Sequence, residues 1–233
     1  MKKQVLLAIS AAVIACIFST LSCRTENSGA VQGEVVIKLP APSLDGKMSL
    51  EAAIKKRRSV RSYTDEPLTL AQVSQLLWSA QGITDPARGF RTAPSAGALY
   101  PLTVYLVAGD VKGLSPGVYR YIPKGHKLAL VAKGDRRDGL CAASLSQSPI
   151  REAPISMVIS GDYAVTARKY GERAPRYAHI EVGHVGQNVL LQAVALNLSA
   201  VGMGVFDDDQ VRKALGMPEN ETPLYIIPVG TRG

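Results

Sequence analysis

Cysteine, tryptophan and phenylalanine are scarce in this chain, with three, one and three copies in 233 residues. So few cysteines exclude a disulfide-stapled mini-protein. Histidine is equally rare, at three. His179 and His184 stand five residues apart, about 140° around a helix, so they cannot grip one metal from one face. His179-Ile180-Glu181-Val182-Gly183-His184 is also not the H-E-x-x-H pattern of zinc hydrolases, and one surface and one packed histidine are expected. No G-x-G-x-x-G follows a strand, so a Rossmann nucleotide site has no support. Walker A and G-x-S-x-G sequences are missing too, which leaves P-loop and hydrolase-elbow chemistry without a basis. Asp207-Asp208-Asp209 opens a helical pattern, where acids suit the dipole, and reads as a cap rather than a calcium site. There are no repeats or heptads, which sets aside solenoids and coiled coils.

What remains is the composition of an ordinary globular domain, 46% hydrophobic and 20% charged, with 21 Gly and 14 Pro. Lys plus Arg number 27 against 19 Asp plus Glu, a net charge of +8. Such an excess invites a nucleic-acid reading unless it is local to one site.

The one long apolar run is N-terminal. Met1-Lys2-Lys3 is a basic start, Val5 to Leu21 is apolar apart from Ser10, Ser19 and Thr20, and the chain turns polar after Cys23. This is the pattern of a secretory signal over residues 1–22 rather than of a membrane span. The cysteine directly after it resembles a bacterial lipobox, so Cys23 is expected to carry lipid. The alternative is a retained anchor helix. Processing there removes Lys2, Lys3 and Cys16, and leaves Cys141 as a lone thiol in an apolar helical context, expected in the core. Residues 23–38 read as a tether and arm, and residues 39–233 as one domain. The expected location is the periplasm or cell envelope of a bacterium.

Along the domain, Val35 to Leu39 is extended. Ser49 caps a helix running to Arg57, and Thr69 with Gln72 forms a capping box before the stripe Leu70, Val73, Leu76, Leu77. Leu102 to Ala108 is a strand, and Val118 to Ile122 with Lys127 to Ala132 make a hairpin. Helices are expected over Asp135 to Gln147, over Tyr177 to Leu198 and from Asp207 to Leu215. Strands are expected at Ile155 to Ser160, at Val201 to Phe206 with glycine interruptions, and at Leu224 to Val229. The order is that of a mixed α+β domain, not a βαβ series.

Lys55-Lys56-Arg57-Arg58-Ser59-Val60-Arg61 concentrates five of the 27 basic residues in seven positions. A solvated helix end accounts for it, since cations suit a C-terminal dipole. A nucleic-acid surface would want aromatic platforms, and none accompany it. A compact anion is the sharper reading, because guanidinium forks and a hydroxyl suit a phosphate.

Together with Pro94-Ser95-Ala96-Gly97-Ala98-Leu99-Tyr100-Pro101, this segment resembles the nitroreductase superfamily, in particular its SagB/ThcOx-type dehydrogenase branch. Leu76 to Gly82, Lys169 to Tyr177, Glu181 to Asn188 and Pro228-Val229-Gly230 follow in the family's order. The resemblance implies a three-layer α-β-α sandwich with a mixed, mostly antiparallel sheet, in an interlocked homodimer binding FMN at the subunit interface. By resemblance, Arg57 and Ser59 hold the phosphate and ribityl chain with Arg58 beside them, and Arg61 reaches the pyrimidine edge. Pro94, Ser95, Ala96, Gly97 and Leu99 lie along the ring from the partner subunit, and Met203, Gly204 and Val205 line its other side. Arg232 is the one phosphate-side candidate near the end. Lys169 and Tyr170 match a pair associated with catalysis in azoline dehydrogenases, although they also suit a plain helix end before Gly171. Pro175 stands where tyrosine is common. The helix from Tyr177 is the implied dimer core, with Val182, Val185, Val189, Ala193 and Leu196 packing there. The implied activity is hydride transfer to or from a small organic substrate, without nucleic acid, and with membrane contact only through Cys23. The competing reading is a non-catalytic, lipid-anchored flavin- or ligand-binding protein of the same fold.

Overall fold

A computed structural model describes residues 35–233. The signal, Cys23 and most of the tether lie outside those residues. The arm enters as β1 (Val36–Lys38), an edge strand paired antiparallel with the later hairpin. In α1 (Leu50–Lys56), Ser49 accepts from the Ala52 amide at 3.2 Å. A short β2 (Leu68–Thr69) leads into α2 (Leu70–Gln81), where the capping box closes as the pattern requires. The Gln72 amide N–H donates to Thr69 Oγ1 at 3.2 Å, and the Thr69 amide donates to Gln72 Oε1 at 2.8 Å. β3 (Ile83–Asp85) and β4 (Phe90–Arg91) form a small hairpin ahead of the small-residue turn.

The main sheet uses β5 (Leu102–Ala108), which a short β6 (Val111–Lys112) separates from the hairpin β7 (Gly117–Ile122) and β8 (Lys127–Lys133). Next come α3 (Arg137–Ala143), α4 (Ser148–Glu152), β9 (Ile155–Gly161), α5 (Tyr163–Tyr170) and α6 (Ala174–Ala195). β10 (Leu198–Ala200), α7 (Asp208–Leu215) and β11 (Thr222–Thr231) complete the chain. The seven-stranded sheet has the order β1-β8-β7-β5-β9-β11-β10 and is antiparallel throughout. The parallel pairing is confined to β2 with β6.

Strand alternation sorts the core into two layers. Leu102, Val104, Leu106 and Ala108 pack with α2 and α6, while Tyr105 and Val107 pack with α3, α4 and α7. The result is the expected α-β-α sandwich. Cys141 is buried in the second layer, and Asp207 caps α7 by accepting from the Gln210 amide at 2.9 Å.

Several local expectations change. The stretch from Asp135 to Gln147 is not one helix. It breaks at Leu145 and Ser146, both with φ 55, and restarts at Ser148 with Pro149 in the first turn, where the missing N–H costs nothing. The long helix starts three residues early, at Ala174, because Pro175 likewise suits a first turn. Val201 to Phe206 is not a strand. Its one ladder contact is an isolated bridge between Met203 and Ile226. Both His179 and His184 are exposed on this chain. His126 is the partly buried one, set between Ser74 at 2.6 Å and Tyr121 at 2.8 Å, and burial lowers its pKa. Val182, Val185, Val189 and Ala193 sit in the chain's own core, so they are not free for a second subunit. α2 and the sheet claim that apolar stripe, and Ile180 is left on the exposed side.

Candidate functional site

The sequence-predicted residues fall into two groups on one chain. The first is a basic edge. Arg57 ends α1, its amide donating to the Ala53 carbonyl at 2.9 Å. Past it the chain lies along the β10–β11 edge of the sheet, with the Val60 amide on the Ala200 carbonyl at 3.0 Å and Thr64 on Thr231 at 3.1 Å. Arg58 folds back, its Nη1 donating to the carbonyls of Lys55 at 3.1 Å and Arg57 at 2.7 Å. Arg58 and Arg232 line one small crevice with Val60 and Ala200. Arg58, Ser59, Arg61 and Arg232 are exposed, and Arg57 is half-buried. The ion pairs among the described residues are Arg88–Asp85, Arg137–Asp135 and Arg212–Asp209, so these four guanidiniums have no carboxylate partner there. Beside them Tyr63 is partly buried with its hydroxyl unpartnered, and burial, reinforced by Glu152, raises its pKa.

The second group surrounds the small-residue turn. Ala96–Ala98 form one tight 3-10 turn, with the Ala98 amide on the Ser95 carbonyl at 3.0 Å. Gly97, Ala98 and Tyr100 have φ of 64, 56 and 51, left-handed values that a non-glycine residue adopts only when its surroundings hold it. Ser95 supplies one hold, its Oγ accepting the Tyr100 amide at 2.8 Å. Lys169 and Tyr170, in the last turn of α5, press on the same loop. A Cβ at Gly97 would lie 2.9 Å from Tyr170 Oη and 3.0 Å from Lys169 Nζ. Tyr170 is itself set by an edge contact with Tyr177, ring centroids 4.9 Å apart. Thus Pro94 to Leu99 and the Lys-Tyr pair form one surface. No hydrogen bond among the described residues joins it to the basic edge.

The Met203–Val205 segment follows β10 on the side of the basic edge. Met203 exchanges backbone bonds with Ile226 at 2.8 and 3.0 Å. Its side chain is buried in the second core layer, so it does not line an external site. Gly204 and Val205 are exposed, and the Val205 carbonyl accepts from Gln147 Nε2 at 2.9 Å.

Residues 54–231 match the model of the nitroreductase family. The chain belongs to that family. It is 43% identical over 196 residues to a protein described as a nitroreductase from Methanocaldococcus jannaschii, covering 84% of this chain and 97% of that one. A solved structure described as a nitroreductase from Ralstonia eutropha shares 28% identity at a TM-score of 0.75, over 85% of this chain and 90% of that one. The microcin B17-processing protein of Escherichia coli is 27% identical over 165 residues, covering 69% of this chain and 61% of that protein. The chain is therefore a nitroreductase-family oxidoreductase.

The donor set of this chain fits a phosphorylated cofactor. Four guanidiniums without acidic partners among the described residues stand on one edge, and forked charged donors of this kind match a phosphate. The tight turn adds small side chains and a glycine, which let a flat ring approach backbone.

Arg91, Gln81 and Glu181, packed under the turn and its Tyr100, carried no role in the sequence reading. Arg91 donates from Nη1 to Gln81 Oε1 at 2.9 Å, and its guanidinium stacks 4.4 Å from the Tyr100 ring. The Arg91 amide donates to Tyr100 Oη at 3.2 Å. Desolvation lowers the Arg91 pKa. Glu181 is 2% exposed on α6. Burial pushes its carboxyl up to about 7, against the opposing pull of Ser95, Arg91 and Gln81. The Ser95 hydroxyl and Gln81 amide approach it without closing a bond of full geometry, so Oε1 and Gln81 Nε2 keep no partner. Glu181 lies within the quoted Glu181 to Asn188 segment, but a carboxylate on a helix reads as solvent-facing until the packing is known.

Proposed function

We propose that this nitroreductase is an FMN-dependent oxidoreductase acting as a homodimer on a small organic substrate, anchored at the cell envelope through Cys23. The observation that carries the reading is the division of the residues into an unpaired basic edge and a separate turn faced by Lys169 and Tyr170. A second copy would bring one chain's edge against the other's turn. An open apolar groove between α1, α2 and α6, with Leu50 and Trp78 in its wall, supplies a surface for that copy. Arg57, Arg58 and Ser59 would hold the phosphate and ribityl chain, with Arg232 beside them. Arg61 would sit at the pyrimidine edge, where a fixed cation favours the reduced, anionic ring. When bound, FMN supplies hydride transfer at N5.

Lys169 is the residue to hold or polarise the substrate, and Tyr170 the one to move its proton. Removing hydrogen from an azoline ring takes a hydride and a proton, so it needs such a group. Reduction of a nitro or quinone compound runs the same pair as donors. Similarity to the microcin B17-processing protein and to a trifolitoxin operon protein supports the azoline direction.

The test is direct. Protein comprising residues 23–233 is purified, incubated with FMN, desalted and examined for the flavin absorbance bands. A yellow dimer that bleaches anaerobically with a reductant or an azoline substrate supports the enzyme. A yellow protein that no donor bleaches supports the binding-protein reading, and a colourless one ends the enzyme reading.

A further inference from the structure

We propose that Glu181 is the positioning residue of the Pro94–Tyr100 turn, acting from α6 through the Ser95 hydroxyl and the Gln81–Arg91 pair. The inference rests on the proposed flavin role of that turn, but its geometry is independent of any ligand.

Three left-handed residues in four positions make the turn a strained segment. Gly97 takes this φ freely, whereas Ala98 and Tyr100 each cost free energy that the surroundings must offset. The hydrogen bonds converge on one place. The Tyr100 amide donates to Ser95 Oγ at 2.8 Å, which leaves the Ser95 proton free to donate onward. Its neighbour on that side is the Glu181 carboxyl. Gln81 Oε1 is already taken by Arg91, so the Gln81 amide N–H groups face the same carboxyl. Arg91 in turn stacks on the Tyr100 ring, and its amide N–H donates to Tyr100 Oη. The polar groups that act on the Glu181 carboxyl, Ser95, Arg91 and Gln81, are donors or a cation, and the residue is 2% exposed with Oε1 unpartnered among the described residues.

A buried acceptor ringed by donors draws them in most strongly when ionised. The ionised carboxylate therefore tightens Ser95 and Arg91, and with them the turn. The protonated carboxyl loosens them, since a neutral acid offers a weaker acceptor. The charged and titratable groups around it are Arg91 on β4, Tyr100 in the turn and Tyr121 on β7 behind Arg91. Tyr177 and His184 lie on α6 itself, and Lys169 and Tyr170 stand across Gly97. Its carboxyl titrates near neutrality, so the hold on the turn varies with pH.

The experiment uses the intact domain without flavin. Amide hydrogen exchange is followed for Ala98, Leu99 and Tyr100, corrected for intrinsic rates, from pH 5.5 to 8.5. In the native chain the Tyr100 protection factor should rise about tenfold across this range, the effect of about 1.4 kcal/mol. In Glu181→Gln the profile should be flat. Ser95→Ala should lose Tyr100 protection at every pH, which serves as the second variant if Glu181→Gln folds poorly. A matching rise in Glu181→Gln, or a flat profile in the native chain, overturns the proposal. A second arm measures FMN affinity by fluorescence quenching at pH 6 and pH 8. Tighter binding at pH 8 that Glu181→Gln abolishes extends the role to the cofactor. Failure of the native chain to bind FMN sinks the flavin reading and leaves the exchange result standing.

Discussion

The basic edge and the turn solve opposite problems. At the edge, Arg58, Ser59, Arg61 and Arg232 are exposed, and their charges meet no acid among the described residues. Under the turn, Glu181 is almost fully buried beside Arg91, and the backbone above is strained. Water can solvate exposed guanidiniums until a phosphate replaces it, so the edge needs little internal support. The turn must hold an unfavourable backbone in advance, so it is bracketed by helix, strand and buried polar groups. On the proposed flavin reading, the edge serves for capture and the turn for placement.

The comparison breaks most severely at the edge. Replacing both Arg57 and Arg58 with alanine should weaken FMN binding by about 3–6 kcal/mol, since each charged hydrogen bond is worth roughly 1.5–3 kcal/mol. Thermal stability of the flavin-free chain should hardly move, and a titration of flavin fluorescence beside a melting curve checks both.

The next effect belongs to Glu181. Its folded pKa of about 7 lies above the ordinary 4.5, so the native state keeps a proton that the unfolded state releases. Stability should fall as pH rises from about 4.5 to 7 and level off above that. The loss is about 3 kcal/mol at one unit per 1.36 kcal/mol. Urea unfolding at pH 5 and pH 8 should show this fall in the native chain and not in Glu181→Gln.

Gly97→Ala comes third. The left-handed φ and the approach to Tyr170 and Lys169 should cost about 1–2 kcal/mol of stability. Flavin affinity should fall with it, which separates this change from the double arginine variant. The smallest change is Arg232→Ala. With the side chain exposed and other arginines nearby, FMN affinity should drop less than about tenfold, the loss of one solvated charge contact.

Much of this was legible along the chain because the signals were local. Ser49, Thr69 and Asp207 announce helix starts by their own side chains, and each does cap its helix. The apolar run from Leu102 to Ala108 announces a strand with two packed faces. The order of six segments, from Arg57 to Tyr63 through Pro94 to Pro101 and Lys169 to Tyr177 to Pro228-Val229-Gly230, was enough for the family. Breaks were harder. Nothing next to Leu145 and Ser146 requires a left-handed course, which follows from folding α3 and α4 separately against the sheet. The family resemblance implied Met203 as a wall of the site, yet beside its bridge to Ile226 the side chain is buried in the second core layer.

By itself, then, the amino-acid order determined the helix caps, the apolar strand runs and the basic cluster, each resting on residues within a few positions of one another, and the nitroreductase kinship, which rests on several such segments in order along the chain. Tertiary structure alone decided which groups meet across the sequence. It placed Gly97 against Lys169 and Tyr170, left the basic edge apart from the turn, and buried the Glu181 carboxyl beneath Ser95. The reason is that burial and electrostatics depend on distances in space, and a carboxylate on a helix acquires an unusual proton affinity only when packing removes its water.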